Sequence, residues 1–175
     1  FDAEKGSVEL YTGKDTEIVI PREIGGVTVR AIGGEFGANI RDFTGTEIVN
    51  NQTEWVHVRS LVIPETVTEI ADNAFEYFQQ LETVICYAPL ETTGRAAFSY
   101  DKALTMVIFM NPVRAIDNYA FADCESLQMV LLDGTLDFIG VNAFARSGLV
   151  SYIADTKEIR DGAFLNCTRL KEIHV

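Results

Sequence analysis

The dipeptide Ala-Phe recurs five times at near-constant intervals, and this internal repeat limits the folds that the chain can adopt. Successive Phe residues are 23, 23, 23 and 20 positions apart, and a Leu follows each of them by six positions, or by five in the fourth unit. The five pairs are Ala74-Phe75, Ala97-Phe98, Ala120-Phe121, Ala143-Phe144 and Ala163-Phe164. One such unit cannot bury an apolar face alone, so the pattern predicts units stacked into a solenoid.

Each unit has two halves with different apolar periods. Around the Ala-Phe pair the apolar residues return every three positions, as in Phe75, Phe78 and Leu81, which predicts a short helix with one buried face. After the Leu the period becomes two, as in Val84 and Cys86, which is typical of a short strand. Side chains expected to accept hydrogen bonds from amides at the helix starts are Asp72, Asn118 and Asp161.

Two stretches carry a resemblance to a known family. Residues 61–75, Leu-Val-Ile-Pro-Glu-Thr-Val-Thr-Glu-Ile-Ala-Asp-Asn-Ala-Phe, and residues 120–127, Ala-Phe-Ala-Asp-Cys-Glu-Ser-Leu, resemble the repeat of the BspA-type leucine-rich repeat family. The segment 11–21 is similar to the N-terminal entry of that family. The resemblance implies a secreted or cell-surface protein of bacteria or protists that acts in adhesion and protein binding. It implies no catalytic residues, so we expect no enzyme.

Repeat and resemblance together predict the fold class and its divisions. We expect an α/β repeat solenoid, a right-handed coil with a parallel β-sheet on one side and short helices on the other. Residues 1–36 form a β-rich N-terminal cap, 37–57 an insertion and 58–175 an array of about five repeats, all in one continuous domain. The insertion holds the only Trp, Trp55, and forms either a cap over the first coil or a partner-contacting loop.

The outward face of the predicted sheet is unusually apolar. If the residues three and five positions after each Leu point inward, those at two, four and six positions point outward. All three Met residues of the chain fall on these outward positions. The predicted partner-binding residues are Val62, Ile85, Tyr87, Met106, Ile108, Met110, Met129, Leu131 and Ile153.

This apolar face has three possible explanations. Proteins seldom leave large apolar patches bare, and Met is frequent at adaptable binding surfaces, which favours a protein partner. Alternatively, β-branched residues simply suit strands, or a further part of the protein covers the sheet. The predicted function is therefore a non-catalytic interaction or adhesion module, extracellular or on the cell surface. A structural spacer in a larger surface protein is the second candidate.

The charge excludes several classes of partner. Lys and Arg number 14 against 26 Asp and Glu, which gives a net charge of −12. A field of this sign repels phosphate backbones and anionic lipid surfaces, so we expect no nucleic-acid partner. The longest uncharged run, residues 103–113, is far shorter than the ~18 apolar residues of a membrane helix, so we expect no membrane insertion in this segment.

The residues that could perform chemistry are few and scattered. The three Cys residues occupy apolar repeat positions and are expected to be buried and unpaired. The two His residues, His57 and His174, are far apart, so we expect no metal site and no cofactor. Asp133 and Asp155 take equivalent outward turn positions, where turn formation is the ordinary explanation and ion binding the alternative.

Two further features break the repeat. Asp101 stands where other units have a core residue, and we expect it to turn to solvent and leave its helix short or frayed. Val175 is an inward strand residue with no cap after it, so we expect either a longer natural chain or a contact with another subunit. Homo-oligomers through the sheet face or the C-terminal coil are the corresponding alternatives to a foreign protein partner.

Overall fold

The fold is a stack of coils built from short strands. The computed structural model describes residues 1–8, 15–33 and 57–174. The strands of these residues, in chain order, are β1 (Ser7–Val8), β2 (Glu17–Val19), β3 (Glu23–Ile24), β4 (Val27–Thr28), β5 (Ala31–Ile32), β6 (Ser60–Ile63), β7 (Glu69–Ile70), β8 (Thr83–Cys86), β9 (Met106–Phe109), β10 (Ala115–Ile116), β11 (Met129–Leu131), β12 (Phe138–Ile139), β13 (Ser151–Ile153) and β14 (Glu172–His174).

The main sheet is parallel and follows the order β2, β6, β8, β9, β11. Equivalent repeat positions pair directly across it, as in Leu61 with Val84 and Val84 with Val107. The strands β13 and β14 form a separate parallel pair. This separation falls where the fourth unit has one residue fewer between Phe144 and Leu149.

A second ladder of short strands lies on another side of each coil. It consists of β1, β5 and β7 in one parallel group and of β10 and β12 in another. Single bridges extend it, between Thr92 and Ala115 and between Ile139 and Ile159. Among the strands of the described residues, β3 and β4 are the only antiparallel pair; the two turn glycines of this hairpin, Gly25 and Gly26, have positive φ. The described part of the N-terminal segment is thus rich in β-structure.

The predicted short helices are wrong, because the described residues contain strands and turns without a helix. Each Ala-Phe segment is a run of turns in which the residues two before and two after the Phe have positive φ, a conformation that interrupts a helix. Its amides donate to the next coil, as from Phe75 to the carbonyl of Ala97 at 2.8 Å and from Phe98 to that of Ala120 at 2.9 Å. A period of three therefore reflects consecutive turns with one inward side chain each.

Acidic and amide side chains near these turns also serve the neighbouring coil. The Oδ1 atom of Asp72 accepts from the amide of Arg95 at 3.0 Å, and that of Asn118 accepts from the amide of Val141 at 2.7 Å. The expectation of helix capping is therefore wrong at these two positions. The side chains instead tie successive coils together.

A ladder of stacked Phe rings runs through the core. Neighbouring rings are nearly parallel, and their centroids are 5.1, 5.3, 5.5 and 5.5 Å apart along the stack. This offset stacking adds to the burial of apolar area. The stacked residues are Phe75, Phe98, Phe121, Phe144 and Phe164.

Asp101 lies inside this core, so the expectation that it turns to solvent is wrong. It is wholly buried, and its Oδ1 atom accepts a hydrogen bond from the amide of Phe78 at 2.7 Å. The same position holds Cys124 in the following unit, whose Sγ atom donates to the carbonyl of Phe98 at 3.0 Å. Asp101 therefore occupies the same inward position as Cys124, and the amide of Phe78 holds its carboxyl group there.

Several expectations fall outside the described residues. Residues 37–56 of the insertion, including Trp55, are not among the described residues, and neither is Val175. Across the described ranges, no helix has the length and apolar character that crossing a membrane requires.

Candidate functional site: the outward face of the main sheet

The alternation of side chains along the main sheet separates an inner and an outer face. Leu61, Val84 and Val107 are buried in the core, whereas their strand neighbours point away from it. All nine residues predicted for the outward face lie on that side. Half-buried among them are Val62, Ile85, Met106 and Ile108; exposed are Tyr87, Met110, Met129, Leu131 and Ile153.

One row of aliphatic side chains crosses the whole main sheet on this face, and we call it the apolar row. Direct register pairs join each of its members to the next through all five strands. In β13 the equivalent residue is Ile153, which pairs with His174. The apolar row consists of Val19, Val62, Ile85, Ile108 and Leu131.

The neighbouring row changes from polar to apolar along the solenoid. Ser60 pairs with Thr83, Thr83 with Met106, and Met106 with Met129. Two unbranched, polarisable side chains thus lie side by side next to the apolar row, where they can adapt to an irregular surface. Inter-coil pairing continues past the strands, because the amides of Tyr87 and Met110 donate to the carbonyls of Ile63 and Cys86, each at 2.8 Å.

Charge on this face is confined to carboxylates at its margins. Glu17 begins β2, and Glu172 begins β14. Asp133 and Asp155 follow β11 and β13 and are exposed, as the sequence predicts for outward turn positions. Within the described part of the three outward rows, no Lys or Arg occurs.

Two of the three thiols are shielded from reaction by burial. Burial raises the pKa of the Cys86 thiol to about 12 and that of Cys124 well above its usual range. All three cysteines are unpaired, and only Cys167 is partly accessible. Within the residues whose placement is described, no three His, Cys, Asp or Glu side chains converge as a metal site requires. Ion binding at Asp133 and Asp155 gains no support from this geometry.

A cleft that the sequence analysis missed lies along the second ladder. It has a volume of about 510 Å³, and its carboxylates include Glu69, Asp72, Glu91 and Asp117. Three of them are engaged within the protein. Asp72 bonds the Arg95 amide, Glu91 pairs with Arg114 at 2.9 Å, and Asp117 accepts from the hydroxyl of Thr92 at 3.3 Å. These carboxylates occupy four different positions of the repeat unit, so equal spacing in the sequence does not reveal this cleft.

Known structures share the fold. A leucine-rich repeat protein of T. pallidum matches with a TM-score of 0.63 and 23% identity, over 94% of this chain and 61% of that one. A leucine-rich cell surface protein of Faecalibacterium prausnitzii matches with a TM-score of 0.58 and 27% identity, over 93% and 48%. A leucine-rich repeat protein of Bacteroides ovatus matches with a TM-score of 0.53 and 22% identity, over 90% and 54%. The chain thus spans less than two thirds of the length of each.

The repeat itself matches a family model. A comparison with curated proteins found no significant match. The model of the BspA type leucine-rich repeat region matches residues 46–171 in six copies, one more than the five units counted from the Ala-Phe pairs. The chain therefore belongs to the BspA-type leucine-rich repeat family.

Proposed function

We propose that this chain is a non-catalytic protein-binding module of a secreted or cell-surface protein, and that the outward face of the main sheet is its contact surface. The observation that carries the proposal is the unbroken apolar row, from Val19 to Leu131, with the pair Met106 and Met129 beside it.

An apolar strand face is unfavourable in contact with water. A strand face that serves only to contact solvent ordinarily carries Thr, Lys, Glu or Ser, because these side chains remain hydrated. Here aliphatic side chains lie in adjacent strands at about 4.8 Å, and they form one contiguous apolar surface. A patch of this kind on a folded protein is typical of an interaction site.

The proposed location follows from family and relatives. The F. prausnitzii relative is a leucine-rich cell surface protein, and the resemblance of the repeat to the BspA type implies adhesion. Because the described residues of this chain offer no convergent metal ligands and its buried thiols have raised pKa values, binding without catalysis is the activity that suits them.

The competing function is a structural spacer that holds another domain away from the cell. Stacked coils with regular inter-coil hydrogen bonds are suited to this task, and a spacer needs no partner on its sheet. In that case the outward face contributes to stability or solubility only, and its substitution leaves every binding property of the whole protein unchanged.

A matched pair of variants tests the proposal. Leu131 on the sheet face and Leu165 on the turn side of the last unit are the same residue type and are 46% and 48% exposed. Leu131→Lys and Leu165→Lys thus add the same charge at similar cost to folding. Immobilised wild-type chain and both variants are incubated with extracellular and bacterial surface proteins, and each captured protein is then purified and its affinity measured.

We expect Leu131→Lys to weaken the affinity for the purified partner at least about tenfold, because it replaces an apolar contact by a charge, and Leu165→Lys to leave it within about twofold. Equal affinity for all three proteins contradicts a role of the sheet face. Absence of any partner, together with absence of hydrophobic dye binding, favours the spacer.

A further inference from the structure

The carboxylates of the outward face are not balanced by Lys or Arg in its described rows. This acidic character restricts the class of partner more than the apolar surface alone does. The inference that follows rests on the proposed function. Glu17, Asp133, Asp155 and Glu172 lie on this face, and the described part of the outward rows holds no Lys or Arg. Glu172 is 3.8 Å from the imidazole of His174, while the other three have no ion pair among the described residues.

The basic residues that precede β6 and β14 form no ion pair with these carboxylates among the described residues. Arg59, at the start of β6, pairs with Glu82 at 2.6 Å, so its charge is already compensated. Lys171 precedes β14 and forms no ion pair with any of the four among the described residues. Four carboxylates thus surround the apolar surface, and three of them lie in its last coils.

Charge and size together identify the occupant. We infer that the face binds an amphipathic segment of another protein, whose apolar stripe covers the apolar row and whose Lys or Arg residues border that stripe and pair with Asp133 and Asp155. Five strands at about 4.8 Å span about 19 Å, the length of a helix of about 13 residues at 1.5 Å per residue. A segment of this length covers the row in a single pass.

The same charge disfavours a second copy of this chain as the occupant. Two copies placed face to face bring together two acidic faces whose described outward rows hold no Lys or Arg to pair with the carboxylates, in molecules that each carry a net charge of −12. Such like-charge contacts oppose association, whereas a basic partner is attracted and oriented by the field. The face is therefore complementary to a cationic amphipathic segment and not to itself.

Three fluorescent 18-residue peptides test this inference with the full 175-residue chain. The first has a helical Leu stripe bordered by Lys, the second has the same stripe bordered by Gln, and the third is a scrambled order of the first. Binding is measured by fluorescence anisotropy at 50 and 300 mM NaCl, and light scattering reports the oligomeric state of the chain alone.

Three double variants accompany the wild type, and thermal unfolding confirms that each is folded. Asp133→Asn/Asp155→Asn removes two charges from the face, and Glu4→Gln/Glu23→Gln removes two from exposed positions elsewhere. Leu131→Ser/Ile153→Ser removes two apolar side chains from the face, with Leu165→Ser as its control.

We expect the Lys-bordered peptide to bind more tightly than the other two, and more tightly at 50 than at 300 mM NaCl. The Asp133→Asn/Asp155→Asn variant weakens its binding about 2- to 10-fold, the effect of two exposed ion pairs, and Glu4→Gln/Glu23→Gln changes it less than twofold. Leu131→Ser/Ile153→Ser weakens both amphipathic peptides.

Other outcomes overturn the inference in distinguishable ways. If the Gln-bordered peptide binds as tightly as the Lys-bordered one and both depend on Leu131, the sheet face binds partners but its charge does not select them. If both acidic variants weaken binding equally, or the scrambled peptide binds as well, attraction is non-specific. If the chain alone forms a dimer that Leu131→Ser/Ile153→Ser dissociates, a second copy is the occupant. If no peptide binds, the stated occupant is wrong.

Discussion

The carboxyl group of Asp101 is held inside the core by the amide of Phe78, whose nitrogen lies 2.7 Å from Oδ1. The other oxygen, Oδ2, has no hydrogen-bond partner among the described residues. Burial raises the pKa of Asp101 well above its usual range; the Phe78 bond lowers it in part, and Glu76 raises it further. Removal from water disfavours the charged form, so the folded chain favours a protonated carboxyl at this position.

Asp101 therefore makes stability fall as pH rises. Its pKa in the folded chain exceeds the unfolded value of about 3.9, so between the two values the folded state binds more protons. The stabilisation is fully present below about pH 4 and is lost as the pH rises toward the folded pKa. We expect Asp101→Asn to raise the free energy of unfolding at pH 7 by about 1–3 kcal/mol and to flatten its pH dependence.

Urea unfolding followed by circular dichroism at pH 4 to 8 measures this effect. Asp161→Asn, at an exposed position, serves as the control and should retain the wild-type slope with pH. The same slope in wild type and Asp101→Asn would contradict the assignment of the pH dependence to this carboxyl group.

The repeat made the strands and the core predictable, but it did not reveal the turns. Direct pairing of Val84 with Val107 follows from equal spacing, since equivalent positions of stacked units must align. The positive φ of Tyr77 and Tyr100 does not follow, because bulky residues rarely adopt it and contacts with the next coil accompany it here. A three-residue apolar period fits such turns as well as a helix.

Burial of Asp101 was unpredictable for a related reason. A carboxyl group is normally assigned to solvent, and only the position of an inward amide from the preceding coil provides it with a partner. The candidate site also has one part that the sequence predicts and one part that only the structure shows. Its outward residues, Asp133 and Asp155 among them, follow from strand alternation, whereas the pairing of the nearby Arg59 with Glu82 is seen only in the structure.

The Phe ladder predicts a gradient of stability along the core. Phe121 is fully buried between Phe98 and Phe144, with ring centroids 5.3 and 5.5 Å away, whereas Phe164 in the last unit is only half-buried. We expect Phe121→Ala to lower the free energy of unfolding by about 3–5 kcal/mol, because it removes a large side chain and leaves a cavity.

Phe164→Ala is the matched comparison, and it should cost distinctly less because its site already contacts solvent. Urea denaturation of the two variants gives the difference. Equal losses would mean that the last unit is as well packed as the centre of the stack.

The three cysteines should differ in their reactivity toward iodoacetamide. The reactive species is the thiolate, and burial raises the pKa of Cys86 to about 12 and that of Cys124 well above its usual range. Cys167 is only partly buried, and its Sγ lies 2.9 Å from the carbonyl oxygen of Phe144. We expect native protein at pH 8 to be alkylated first at Cys167, with Cys86 and Cys124 labelled only after unfolding.

Mass spectrometry of peptides from a time course of labelling measures the order. Addition of urea above the unfolding midpoint should equalise the three rates, which controls for differences in local sequence. Fast labelling of Cys124 in the native protein would show that its coil opens without global unfolding.

Two glycines with positive φ allow the stability cost of backbone strain to be measured apart from the cost of a steric clash. Gly94 has φ +77, and a Cβ atom built on it would lie 2.5 Å from the carbonyl oxygen of Ile70 and 2.7 Å from that of Ala71. Gly134 has φ +86, but its nearest neighbour would be the Cβ of Pro112 at 3.9 Å. Replacement by Ala at either position imposes a left-handed backbone on a residue with a Cβ, at a cost of about 1–2 kcal/mol.

We expect Gly134→Ala to show this cost alone and Gly94→Ala to lose about 1–3 kcal/mol more, because two coils must move apart to admit the methyl group. Thermal and urea unfolding of both variants measure the difference. Since the clash is with backbone atoms of the preceding coil, no side-chain rotation can relieve it. Equal stability of the two variants would mean that the coils separate at negligible cost at this point.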